Sequence, residues 1–252
     1  MHTELSRFQA FAIHLLLSSA ILGSFLTFVL LVWYPHPFFI LEGLAEIVWV
    51  LVGVDVVLGP ALTLVVFKTG KPGLKRDLSI IAAIQIAGFF YGAQTFYSER
   101  PAFAIFFDSD YFEVIPASTM KDISKLDPSL NHSNLGGPTF VFVDAPKGTE
   151  DLEKILEDMK SGGPAIHLRP EYYRPLKGHI NRKFKLSLDL DKLQKVPANE
   201  AAISQFKAEY GDQKNNFAYF RITGSLTSRL LVIDRKSEMV VDSIDINPIA
   251  AN

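Results

Sequence analysis

Leu51–Lys68 reads LVGVDVVLGPALTLVVFK, and its reading decides the architecture. The stretch is apolar enough to sit in lipid, yet it carries an acid, Asp55, and a Gly59-Pro60 break. A carboxylate near the middle of a spanning helix costs roughly 2.5–3.5 kcal/mol on insertion scales, so it faces other helices or a wet cavity. Pro60 removes a backbone donor and kinks the helix. The plain reading is a kinked membrane helix whose acid is satisfied by its neighbours. An ion or proton path is the sharper reading, and it needs more helices than this chain supplies.

Working outward, this second span covers about residues 45–67, with Glu42 and Glu46 at its edge. Before it, Phe11 to Trp33 is nearly all apolar, about 23 residues, enough to cross the hydrocarbon core with some tilt. That run is too long for a signal-peptide core, so it reads as an uncleaved first span. His14 near its inner end needs no functional explanation. Trp33-Tyr34-Pro35-His36-Pro37-Phe38-Phe39 joins the two spans, and its aromatics suit a loop at the membrane edge. After the second span comes a basic loop, Lys68 to Asp77, and then a third span at about residues 78–97. The expected layout is therefore 1–10 at one face, a three-helix region over 11–97, and a soluble domain over 98–252.

The cations set the orientation. Lys68, Lys71, Lys75 and Arg76 crowd the second loop, while Pro35 to Gly43 has neither Lys nor Arg. The positive-inside rule then puts the amino terminus and the basic loop in the cytoplasm, and the domain after Tyr97 on the outer face.

That domain reads as α+β, because its strands and helices do not alternate. Strands are expected at Ala102–Phe107 and Tyr111–Ile115, joined by Asp108-Ser109-Asp110, and again at Thr139–Val143. Leu152, Ile155, Leu156 and Met159 follow the helical spacing, with acids before them and Gly162-Gly163 after. Ala165–Leu168 reads as a short strand, and Asn199–Tyr210 as a helix. Phe217–Thr223, Arg229–Ile233 and Met239–Ile244 read as strands, the last two turning at Asp234 to Ser237. Carrying its own patterns, the domain is expected to fold without the spans.

Motifs for chemistry are missing. There is no G-x-S-x-G elbow, no HExxH, and no Walker or Rossmann glycine pattern. His132, His167 and His179 are scattered, and Asp108 and Asp110 lack the rest of a calcium loop. With no cysteine, neither a disulfide framework nor a cysteine zinc site can form. A net charge of −2 gives no nucleic-acid surface. Catalytic residues, cofactor and metal are therefore all read as none. Arg169, Tyr172, Tyr173 and Arg174 are of the types that protein interfaces favour, and form the candidate partner surface; a rigid loop capping the core is the competing reading. Within the spans, Asp55 lies about 12 residues, or roughly 18 Å, from the inner end of its helix. Ser24 and Tyr91 fall at similar depth and complete the candidate polar site, with Gly59 and Pro60 as its kink, whereas His14 lies too near the surface.

Several stretches resemble the type IV pilin accessory proteins of Gram-negative bacteria, the Tfp accessory group. They are RFQAFAIHL from Arg7, GVDVVLGPALTLVVFK from Gly53, and GLKRDL from Gly73. Gly162-Gly163-Pro164 through Tyr173 and the hairpin Ser228 to Val241 are also similar. The resemblance covers essentially the whole chain, most specifically the second span, and less so Met120 to Gly137 and Leu176 to Lys214. It implies a multi-pass inner-membrane protein with a periplasmic domain that assists pilin stability or pilus assembly without enzymatic activity. Its partners would be the bilayer and a major or minor type IV pilin. The competing class is a membrane-embedded enzyme or small transporter centred on Asp55, needing further polar residues or a homo-oligomer. A sensor is disfavoured by the short cytoplasmic segments.

Overall fold

Position 60 shapes the central helix. In α-helical register the carbonyl four residues upstream of Pro60 would look to a donor that proline lacks. The computed structural model, which describes residues 5–107, 110–120, 122–211 and 214–248, answers this with a π segment. The second span is built from α3 (Ala45–Leu51), a π segment over Val52–Leu58, and α4 (Gly59–Val66). The Gly59 N–H reaches back five residues to the Val54 carbonyl. Before it come α1 (Arg7–Phe28), which runs on as a second π segment over Val29–Trp33, and a single turn, α2 (Phe38–Leu41). Ser6 and Gln9 close α1 with a reciprocal capping box. α5 (Leu74–Glu99) begins inside the basic loop.

The protein is a membrane protein: Arg7–Trp33, Ala45–Val66 and Leu74–Glu99 are each long and apolar enough to cross a bilayer. Leu16, Leu31, Val65 and Ile84 point outward, as a lipid-facing surface requires. The second span packs against both others. Phe25 on α1 meets Phe89 and Phe96 on α5 edge to face, at 5.1 and 5.9 Å. Gly92 admits Leu51 so closely that a Cβ there would lie 2.6 Å from its Cδ2.

The second unit comprises residues Trp33–Gly43 together with Arg100–Asn252, of which 249–252 lie outside the described residues. Its α+β fold centres on a seven-stranded mixed sheet, in the order β4-β3-β1-β2-β5-β6-β7. The strands are β1 (Pro101–Phe106), β2 (Tyr111–Pro116), β3 (Thr139–Val143), β4 (Tyr173–Pro175), β5 (Phe217–Thr223), β6 (Ser228–Asp234) and β7 (Met239–Ile244). β1 with β3 and β2 with β5 are parallel, and the other pairs antiparallel. α6 (Thr149–Lys160), α7 (Leu190–Gln194) and α8 (Pro197–Tyr210) complete the helices. On one face Phe217, Tyr219, Leu230 and Val232 pack with Leu190, Leu193, Ile203 and Phe206 of α7 and α8. The other face carries a phenylalanine cluster in which Phe106 meets Phe112 at 5.0 Å and Phe220 at 5.2 Å.

Residues 33–43, read as a membrane-edge loop between two spans, fold with the sheet domain. Tyr34, Phe38 and Leu41 are all buried, and the Phe38 ring lies 5.9 Å from Phe140. The Leu226 N–H donates to the Leu41 carbonyl at 2.8 Å, and the Ser225 hydroxyl to Glu42 at 2.6 Å. Gly224 permits this approach, since a Cβ there would sit 2.7 Å from the Leu41 carbonyl oxygen. Aromatics and prolines suit a headgroup loop and a rigid packing segment equally well, and here they complete a core. Two smaller expectations also change. Ala165–Leu168 is not a strand but contains a 3-10 turn, Ile166–Leu168. The Arg169–Pro175 loop ends in an edge strand, β4, on β3. Asp108 and Ser109 of the expected hairpin turn lie outside the described residues.

Candidate functional site inside the helices

Leu51, Asp55, Gly59 and Thr63 recur at every fourth position, and all four are buried. This spacing makes one stripe on the second span, and the polar chemistry of the spans gathers along it. The Gln85 side-chain amide on α5 donates to the Asp55 backbone carbonyl at 3.1 Å, a group that the π segment leaves available. Gly59 makes room for that amide, because a Cβ at position 59 would overlap it. One turn on, Thr63 Oγ1 lies 2.6 Å from His14 Nδ1 on α1.

The Asp55 side chain is only 6% exposed, and neither carboxylate oxygen has a hydrogen-bond partner. It forms the floor of a cavity of about 320 Å³ between α1 and α5, whose other polar lining is His14, Ser18 and Gln85. The mouth is apolar, with Leu17, Ile21, Ile86 and Phe90 exposed around it.

The structure does not bring Ser24 and Tyr91 to Asp55. Ser24 donates to the Ala20 carbonyl of its own helix at 2.7 Å, and the Tyr91 side chain is 79% exposed on the outer surface. Depth counted along a helix places a residue in height but says nothing of which way it faces. His14, set aside as too shallow, shares the cavity instead. Gln85 and Thr63 escaped the sequence reading altogether, although the four-residue stripe through Gly59 pointed to Thr63.

On the soluble side, the candidate surface is built largely inward. Tyr173 is fully buried, its hydroxyl donating to the His167 carbonyl at 2.7 Å, and burial pushes that hydroxyl well above its ordinary pKa. Arg169 donates to the Pro164 carbonyl at 3.1 Å and pairs with Asp158. Arg174 donates to the carbonyls of Glu171 and Tyr173 at 2.9 and 2.7 Å. Tyr172 packs against the core beside Tyr173. Pairing of β4 with β3 turns Tyr173 into the core, while Arg169, Tyr172 and Arg174 stay part-exposed. Among the described residues no three His, Asp or Glu side chains gather as a metal-binding group.

Three helices long and apolar enough to span a membrane, followed by an α+β domain, define the class: a membrane protein with a folded domain after its spans. Within that class, the chain belongs to the fimbrial assembly protein family. The profile of fimbrial assembly protein FimB matches residues 4–43, which is the first span and the segment that enters the sheet domain. The fimbrial assembly protein of serogroups C1 and C2 of Dichelobacter nodosus is 33% identical over 106 residues, covering 41% of this chain and 79% of that one. Its serogroup I counterpart is 34% identical over 106 residues, and there the match covers only 40% of the relative. These matches are narrower than the whole-chain resemblance. No solved structure matches the chain.

Proposed function

We propose that the protein is an inner-membrane accessory factor for type IV pilus biogenesis, acting by binding pilin rather than by catalysis. Membership of the fimbrial assembly protein family carries this reading. A pilus subunit presents an apolar helix in the membrane and a globular head outside it. A partner with spanning helices and a folded outer domain contacts both parts at once, and two linked weak contacts give a strong one. In this reading the amino terminus is cytoplasmic and the sheet domain periplasmic. The orientation is supported by the basic loop, and the three-span layout by the folding of residues 33–43 with the domain after the third span, since both must then share one side.

Deletion of the gene in piliated cells, with photocrosslinking from Tyr172 in the complemented strain, tests the proposal. Fewer surface pili and a pilin adduct are expected. Unchanged pilus number with no pilin captured would end it. For orientation, a cysteine replacing Lys177 is expected to react with an impermeant maleimide in intact cells, and one replacing Lys71 to resist it. The reverse pattern would invert the topology.

A further inference from the structure

We infer that the groove between α1 and α5 is a docking site for a second membrane helix that carries a hydrogen-bond donor or cation at mid-depth, which Asp55 receives. Three observations combine. First, the Asp55 carboxylate is buried without a partner on either oxygen, at the floor of a cavity of about 320 Å³. An unsatisfied carboxylate inside a bundle is costly, and the cost falls when a donor arrives. Second, two of the polar residues lining the cavity are engaged away from the carboxylate: His14 with Thr63 at 2.6 Å, and the Gln85 amide with the Asp55 backbone carbonyl at 3.1 Å. The carboxylate is thus left to receive a donor from outside. Third, the mouth is formed by exposed Leu17, Ile21, Ile86 and Phe90. That rim suits an apolar helix surface and excludes a hydrated ligand.

Depth selects among occupants. Asp55 lies about 12 residues from the end of its helix, or roughly 18 Å, beyond the reach of a lipid headgroup seated at the surface. A bare cation would find one carboxylate and no further acidic ligand, which is too few oxygens. A helix delivers its donor at mid-membrane and covers the apolar rim with the same surface. The inference rests on the membrane placement used above, but not on which protein supplies the helix.

The test uses the full chain in phosphatidylcholine vesicles and a leucine host peptide long enough to span, bearing either Lys or Leu at its centre. Association is read by energy transfer. The Lys peptide is expected to bind roughly tenfold more tightly than the Leu peptide, in keeping with hydrogen bonds between membrane helices. Asp55→Leu is expected to abolish the difference. Ile86→Trp, which fills the mouth and leaves Asp55 intact, is expected to weaken binding of the Lys peptide. Far-UV circular dichroism of the full chain in the vesicles shows that the spanning helices of each variant are folded. Equal binding of the two peptides, or a preference that survives Asp55→Leu, overturns the inference. So does phosphatidylethanolamine that co-purifies through Asp55 while neither peptide binds, or a groove filled by a second copy of the chain. If peptide discrimination holds while pilin is never captured in cells, the groove stands and the pilus reading fails.

Discussion

His132 ties the acid–base chemistry of the sheet domain to its core. The ring stacks on Phe103, with centroids 4.4 Å apart, and Nδ1 lies 3.0 Å from Thr139 Oγ1. Burial, and secondarily the charge of Arg100, hold its pKa below the ordinary 6.5. The sign follows directly. As pH falls, the unfolded chain takes up this proton first, so the contribution is fully present above the unfolded pKa and is lost as pH drops below it. The melting temperature of the sheet domain is therefore expected to decline between about pH 7 and about pH 5, and to decline less in His132→Gln. Identical pH profiles would show that other groups set the dependence. The same scale shows why Asp55 was found in the sequence and its surroundings were not. An acid in an apolar run stands out by composition, whereas Gln85 and His14 become neighbours only through helix rotation and packing. Ser24 and Tyr91 had the right height and face elsewhere.

Elements read well where their signal is local. The three apolar runs gave the spans, and the spacing of Leu152, Ile155 and Met159 gave α6. What failed was non-local: β4 exists because Tyr173–Pro175 pairs with Val141–Val143, and no period in seven residues encodes that pairing. The π segment over Val52–Leu58 lies between these cases, since Pro60 announces a break without saying whether the helix bends or widens. Its role can be separated from packing. Pro60→Ala restores a donor and lets the helix regain α register, which turns the upstream part by about 100° for each residue of shift. The chain has no cysteine, so a Leu51→Cys, Gly92→Cys pair reports contact between α3 and α5 without background. Oxidative crosslinking is expected to be efficient with Pro60 and several-fold poorer in Pro60→Ala. Equal yields would assign the register to interhelical packing instead.

At the scale of the whole molecule, the chain enters its sheet domain twice, once between the first two spans and again after the third. The sequence reading treated the soluble domain as self-sufficient from about Pro101, because every strand pattern lies beyond that point. The structure gives part of its core to residues 33–43 instead. Tyr34, Phe38 and Leu41 are at most 2% exposed. Burying a large apolar side chain is worth about 1.5–3 kcal/mol, so removing three exposes a loss of several kcal/mol at the upper estimate. Domains of this size hold only about 5–15 kcal/mol in total. Strand hydrogen bonding remains in a fragment covering 100–252, so a sheet should still form, but with its phenylalanine face partly uncovered where Phe38 meets Phe140. The fragment alone is therefore expected to unfold at markedly lower denaturant, and to bind a dye for exposed apolar surface. Joining residues 33–43 to its front through a Gly/Ser linker is expected to restore the midpoint and remove the dye signal. Gly224→Val, which would drive a side chain into Leu41, is expected to cancel that restoration. Equal midpoints with and without the segment would mean that the sheet closes its own core and that 33–43 only rests on it.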